Sequence, residues 1–277
     1  MFDEKLFKNI TKNIRKNILI STHLAGSGHI AGPLGAVDLL AYLFFYVLRN
    51  PLLKNKIVDL ENKVFEDKFI LSAGHYAPLL YSILAEIGLI KFAELNNLRS
   101  LGSILQGHTH RNLDYFIENS SGSLGQGVGL AVGEAIFYKK TNKKNQVFVL
   151  ISDGEMNEGS VWESFLIASK FKLDNLTIII DRNNIQQSGR SNHILPLEDL
   201  EKKLIAFDMN VSKLNGNDIH DIIKVFSHSN FSNQQPNVLL SYTTAGKGVN
   251  FLENNYEWHS KVLTKSELEL AVTELEN

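Results

Sequence analysis

Two apolar, β-branched runs in this chain end in oxygen-bearing side chains. Residues 147–151 lead into Ser152-Asp153-Gly154-Glu155, and residues 176–180 lead into Asp181-Arg182-Asn183-Asn184. If the runs are neighbouring strands, about 4.8 Å apart, Asp153 and Asn183 can reach one ion. Their oxygens suit a hard cation such as Mg²⁺, which in turn holds phosphate groups. The plainer alternative is that Asp and Asn cap turns at strand ends, as in many α/β proteins.

Histidine supplies a second signal. Three of the nine histidines, His29, His75 and His108, directly follow glycine, where composition alone predicts about 0.6 such pairs. Glycine lets the backbone turn sharply and present the next side chain. Three such pairs in separate loops point to imidazoles that bind a phosphate or polyhydroxyl ligand. His110, His193, His220 and His228 lack this setting and read as structural or surface residues, and His23 as a packing residue of the first helix. The glycine-rich run Gly122-Ser123-Leu124-Gly125-Gln126-Gly127-Val128-Gly129 has neither the dinucleotide spacing after an apolar strand nor a G-x-x-x-x-G-K-S/T phosphate loop. Gly125, Gly129 and Gly133 instead form a stripe at intervals of four. Each interior glycine costs a helix about 1 kcal/mol against alanine, so a close neighbour is expected: a packed helix, a phosphate at the helix N-terminus, or both.

The elements that must carry these residues follow from periodicity. Leu6, Ile10, Ile14 and Ile18 predict an amphipathic first helix, and a second, apolar helix runs from about Pro33 to near Asn50-Pro51. Residues 68–71 read as a short strand, 78–87 as helix and 112–123 as loop. Residues 147–151 and 176–180, joined by a helix over 160–171, form a βαβ unit, and continuous apolar strands indicate a parallel sheet buried on both faces. Ser160 and Glu163 suggest a capping box on the crossover helix. Further strands over 210–214 and 238–242, with a helix over 218–226 between them, complete one doubly wound α/β domain spanning residues 1–277. Ligands of such sheets bind beyond the carboxyl ends of the strands, where the polar motifs lie.

Composition bounds the function. The chain has 277 residues, 44% hydrophobic and 21% charged, with a net charge of -2 and no cysteine. Disulfides, thiolate metal sites and cysteine nucleophiles are excluded. A pI near 6.5 without a basic run argues against nucleic acid as a partner. No export signal is visible, and the longest apolar run, residues 39–48, is half of the roughly 20 residues a membrane span needs. A soluble, cytoplasmic protein is expected.

The motifs together resemble a known family. Asp153-Gly154-Glu155, followed after 27 residues by Asn183-Asn184, is similar to the thiamine diphosphate motif, which opens with Gly-Asp-Gly and closes with Asn. Ser27-Gly28-His29 with Gly32-Pro33-Leu34-Gly35, Ser72-Ala73-Gly74-His75, Leu101-Gly102-Ser103 with Gln106-Gly107-His108, Gly122-Ser123-Leu124-Gly125-Gln126-Gly127, and Trp258-His259 resemble transketolase blocks in the family's order. The resemblance covers nearly the whole chain, but only the family's N-terminal, diphosphate-binding domain. It implies the thiamine diphosphate-binding fold, a doubly wound parallel sheet flanked by helices.

The resemblance also implies roles. Asp153, Asn183 and the backbone carbonyl of Ile185 would coordinate Mg²⁺, or Ca²⁺ or Mn²⁺ in its place, while His75 and His259 would contact the diphosphate. Gly122 and Leu124 would line the cofactor, with Ser152 and Gly154 beside the diphosphate and Asp181 near the thiazolium ring. Glu158 matches a carboxylate at the subunit interface and joins the cofactor-binding set. His29 and His108 would face substrate hydroxyls, so His29, His75, His108 and His259 form the expected catalytic group.

Departures accompany the resemblance. Ser152 stands where the family usually has glycine, Thr109-His110-Arg111 replaces the usual run after His108, and Ala245 takes the place of a larger residue. One-chain transketolases continue into a pyrimidine-binding and a C-terminal domain, which carry the glutamate that activates the aminopyrimidine. The resemblance therefore implies one subunit of a split transketolase, working with a second chain in an assembly of the α₂β₂ type. Its expected activity moves a two-carbon ketol unit from a ketose or ketose phosphate to an aldose, with the cofactor as electron sink. The alternatives are a thiamine-dependent 2-oxo acid synthase or decarboxylase subunit, and a non-catalytic scaffolding subunit.

Overall fold

The computed structural model describes residues 2–49, 66–228 and 234–276. Helix α1 (Glu4–Ala25) is followed by α2 (Ala31–Gly35), α3 (Val37–Tyr42) and a π-helical turn over Leu43–Val47. Then come β1 (Lys68–Leu71), α4 (Ala77–Ile87), α5 (Gln126–Lys140), β2 (Val147–Ser152), α6 (Gly159–Lys170) and β3 (Leu176–Arg182). A small hairpin, β4 (Ile185–Gln186) and β5 (Gly189–Arg190), leads through α7 (Ser191–Ile194) and α8 (Leu200–Ala206) to β6 (Asn210–Asn215). Helix α9 (Ile219–His228), β7 (Asn237–Tyr242) and α10 (Lys265–Glu276) complete the order.

The main sheet has the order β1-β2-β3-β7-β6, all parallel. Successive side chains point to opposite faces of a strand, and both faces here are apolar. Val149, Ile151, Ile178 and Ile180 pack with α5, α6 and α8, while Phe148, Leu150, Ile179 and Leu239 pack with α1 through α4 and with α9. Every residue of β2 is buried, as the unbroken apolar run requires. Progress from β1 to β3 runs in one direction, and β7 returns inside β6, so helices must cover both faces. The parallel sheet flanked by helices agrees with the expectation.

Several local expectations need correction. Helix α1 buries Phe7, Thr11, Ile14 and Ile18, whereas Leu6 is 45% exposed. A strict spacing of four overshoots each helical turn by about 40°, so Leu6 and Ile18 cannot share a face. The apolar helix after Pro33 is broken into three segments, and its expected end at Asn50-Pro51 lies outside the described residues. No capping box starts α6: Glu158 holds the cap position, and Ser160, inside the helix, donates to the Gly125 carbonyl at 3.3 Å. The glycine stripe is packed within the chain only at its first member, where a Cβ on Gly125 would run into Ser160 Oγ and lie 2.9 Å from the Glu158 Cβ at the start of α6. Gly125 is the left-handed cap of α5, with φ 79°; a Cβ on Gly129 would meet only Ser164 Oγ at 3.7 Å, and one on Gly133 would meet nothing within 4 Å.

Helix α10 folds back along α1, where Glu276 pairs with Lys12 at 2.8 Å and Lys16 at 2.5 Å. Among the described residues, no helix is long and apolar enough to cross a membrane.

Candidate active site at the carboxyl ends of the strands

Strands β1, β2 and β3 deliver their polar ends side by side. Register pairs Ser152 with Asp181, and the Asp153 amide donates to the Asp181 carbonyl at 3.0 Å. The side chains expected to share an ion therefore do come from adjacent strand ends. A cavity of about 460 Å³ opens above them, lined by His29, His75, His108, His259, Gly122, Leu124, Ser152, Gly154, Asn183 and Ile185. That size suits a small ligand or cofactor.

Asp153 lies fully buried below this cavity. Its Oδ2 accepts the Asn184 amide at 2.8 Å, and its Oδ1 has no partner. Burial, and then the neighbouring Asp181, push its carboxyl up to about 7. Asn184 adopts the left-handed conformation, φ 59°, in a turn where Asn183 Oδ1 accepts the Ile185 amide at 3.0 Å. An amide oxygen has a second lone pair to offer. Among the described residues no three His, Asp or Glu side chains converge as a metal site, so a cation here would depend on carbonyl and amide oxygens as well. The bare Asp153 oxygen and the Asn183 oxygen, on adjacent strand ends, are of the donor type a hard divalent ion takes.

Four imidazoles crown the site. The His29, His75 and His259 rings lie 5.2 to 5.5 Å apart, and His108 stands exposed at the rim, against Gly74 and Gly122. Burial, followed by the His259, His108 and Arg99 charges, takes His29 down to about 4. Burial also holds His75 well below its usual range and lowers His259 and His108. All four are thus neutral near pH 7, each with one donor and one acceptor nitrogen. Buried His259 Nδ1 has no partner.

Glu158, an expected site residue, lies outside the cavity lining, as do the histidines not assigned to the site. It is exposed at the start of α6, with its Cβ beside Gly125. His23 Nδ1 lies 2.7 Å from the Leu263 carbonyl, so it ties the segment before α10 to α1. His110, His193 and His220 are exposed, and the His228 side chain lies outside the described part.

Two residues at the site escaped sequence reasoning. Glu155, fully buried, accepts from Ser72 Oγ at 2.5 Å and from the Gly125 amide at 2.7 Å, and Ser152 Oγ accepts the Glu155 amide at 3.2 Å. One carboxylate thus ties the ends of β1 and β2 to the start of α5. Tyr76, also fully buried, donates to Asp181 Oδ2 and lines the cavity. The only signal for Glu155 was its place in the Asp153 motif, and an apolar ring after His75 gave none for Tyr76.

The family model of the transketolase thiamine diphosphate binding domain matches residues 7–276. One of the subunits of the apulose-4-phosphate transketolase of Actinobacillus succinogenes is 38% identical over 263 residues, covering 95% of this chain and 93% of that protein. The protein of the same name from Phocaeicola vulgatus is 35% identical over 261 residues, covering 94% and 90%. Human transketolase is 35% identical over 269 residues, which are 97% of this chain but 42% of the human one. The structure of Campylobacter jejuni transketolase superimposes with a TM-score of 0.87 at 27% identity, covering 99% of this chain and 43% of that one. With the fold, the strand-end motifs and these matches in agreement, the chain belongs to the transketolase family of transferases, within its thiamine diphosphate-binding domain.

Proposed function

We propose that residues 1–277 act as one diphosphate-binding unit, the first subunit of a cytoplasmic, split transketolase. It transfers a two-carbon ketol unit from a ketose or ketose phosphate to an aldose, and needs a second chain that supplies the pyrimidine-binding domain. The observation that carries this reading is the unpartnered, buried Asp153 oxygen beneath neutral imidazoles, in a chain that aligns along nearly all of two proteins named as single subunits of a transketolase. Apulose 4-phosphate, named for those relatives, sets the substrate class to test first.

Asp153, Asn183 and the Ile185 carbonyl hold Mg²⁺, and His75 and His259 donate hydrogen bonds to diphosphate oxygens. Ser152 and Gly154 lie beside them, and Gly122 and Leu124 border the cofactor, while buried Asp181 acts from beneath through Tyr76, Asn183 and Thr243. Thiamine diphosphate, when bound, supplies the nucleophilic carbon and the electron sink. Neutral His29 and His108 bind substrate hydroxyls, since an imidazole can both donate and accept. Glu158 faces out of the chain and meets the partner. Exposed Leu130 and Phe137 on α5 and Leu166 and Ile167 on α6, beside Gly129 and Gly133, offer that partner an apolar face. Two copies of each chain form the working assembly.

Calorimetric titration of the reconstituted complex tests the site. Asp153→Ala and Asn183→Ala are expected to abolish Mg²⁺-dependent thiamine diphosphate binding, and undiminished affinity in either variant would sink the metal assignment.

A further inference from the structure

Tyr76 and Asn183 share a buried hydrogen-bond chain. The Tyr76 hydroxyl donates to Asp181 Oδ2, and Asn183 Nδ2 donates both to Tyr76 Oη, at 2.9 Å, and to Asp181 Oδ2, at 2.8 Å. Since the phenolic proton is committed to the carboxylate, Oη is left to accept from the amide. A flipped Asn183 would turn its oxygen toward both Asp181 and Oη, and would leave the Ile185 amide without its acceptor. Tyr76 therefore acts with Asp181 and the Ile185 amide to fix which way Asn183 points. Helix α2 fixes the phenol in turn: a Cβ on Gly32 would lie 2.6 Å from Tyr76 Oη and 2.8 Å from Cζ, so the ring fills the space that glycine leaves.

We propose that Tyr76 is a positioning residue that locks the Asn183 amide with its oxygen toward the cation, while Gly32 makes room for the lock. The inference rests on the cofactor reading above. Removing the phenolic oxygen leaves the Asn183 amide held on that side by Asp181 alone and takes one of the donors from Asp181. Groups that orient a metal ligand commonly carry a factor of about 10 to 100 in metal affinity.

The test uses Mn²⁺ as a paramagnetic probe in the complex reconstituted with its partner, at fixed thiamine diphosphate, with bound ion read by electron paramagnetic resonance. Tyr76→Phe is expected to raise the Mn²⁺ concentration for half-occupancy about tenfold or more. Tyr81→Phe, which removes another buried phenol that donates to the Gln106 carbonyl at 3.0 Å, is expected to leave it unchanged. Equal midpoints in Tyr76→Phe and wild type, or equal shifts in both phenol variants, would overturn the role of Tyr76 alone. Absence of Mn²⁺ uptake by wild type would overturn the cofactor reading together with it. Should Tyr76→Phe not fold, Gly32→Ala displaces the hydroxyl instead; it is expected to move the midpoint in the same direction, and no movement would count against the proposal.

Discussion

At the scale of single residues, the neutral imidazoles have measurable consequences. If His108 binds the hydroxyl of the ketol unit, His108→Ala in the reconstituted enzyme is expected to lower kcat/KM for ketose donors by about 1.5 to 3 kcal/mol. Hydroxypyruvate, which carries the same hydroxyl, should lose a similar amount and pyruvate little; equal losses on all three would show that His108 supports the loop instead. His29 makes a separate prediction for stability. Its imidazole protonates near 6.5 in the unfolded chain and at about 4 in the folded one. As pH falls through that window the unfolded state takes up the proton first, so stability is full above 6.5 and declines toward 4, by up to about 3 kcal/mol. Urea unfolding across this range should slope less in His29→Asn, and an unchanged slope would contradict the assignment. Asp153, Asn183 and the glycine-histidine pairs were legible from sequence because chemistry sits next to punctuation there. Tyr76 was not, since a tyrosine opening an apolar helix looks like packing until Asp181 is found against its hydroxyl.

At the scale of elements, α5 has two kinds of glycine. A Cβ on Gly127 would lie 2.5 Å from the Ser72 Cβ and 2.6 Å from its Cα, so Gly127→Ala must push α5 off the end of β1, at about 1–3 kcal/mol. Gly133 has open space, and Gly133→Ala should instead stabilise the isolated chain by roughly 0.5–1 kcal/mol through helix propensity while weakening association with the partner. Chemical denaturation of the two variants, with a pull-down of the partner, checks both signs. Glycine spacing showed the stripe in the sequence but not its direction, because a period of four does not say which neighbour a helix meets. The central strands β2, β3 and β7 were read almost to the residue, since buried parallel strands leave unbroken apolar runs; the short β4–β5 hairpin and the break in the helix after Pro33 were not, because two-residue strands leave no pattern and α-helical and π-helical turns share the same apolar composition.

At the scale of the whole molecule, the reading of a split enzyme predicts that the purified chain, saturated with thiamine diphosphate and Mg²⁺, shows no ketol transfer, and that adding the partner restores it. Turnover by the isolated chain, free of host transketolase, would refute the split. Layer order was legible because alternation of βαβ signals leaves few topologies, whereas the fold-back of α10 on α1 buries Ala271, packs Leu268 and Leu275 against the core and pairs Glu276 with two lysines 260 and 264 residues away, a separation no local pattern reveals. That fold-back matters for engineering. Because it sets the end of α10 beside Lys12 and Lys16, about 12–18 Å along α1 from that helix's first turn, the first and last described helices end on the same side of the molecule. A circular permutant that joins these helices would then need a linker of only about four to six extended residues.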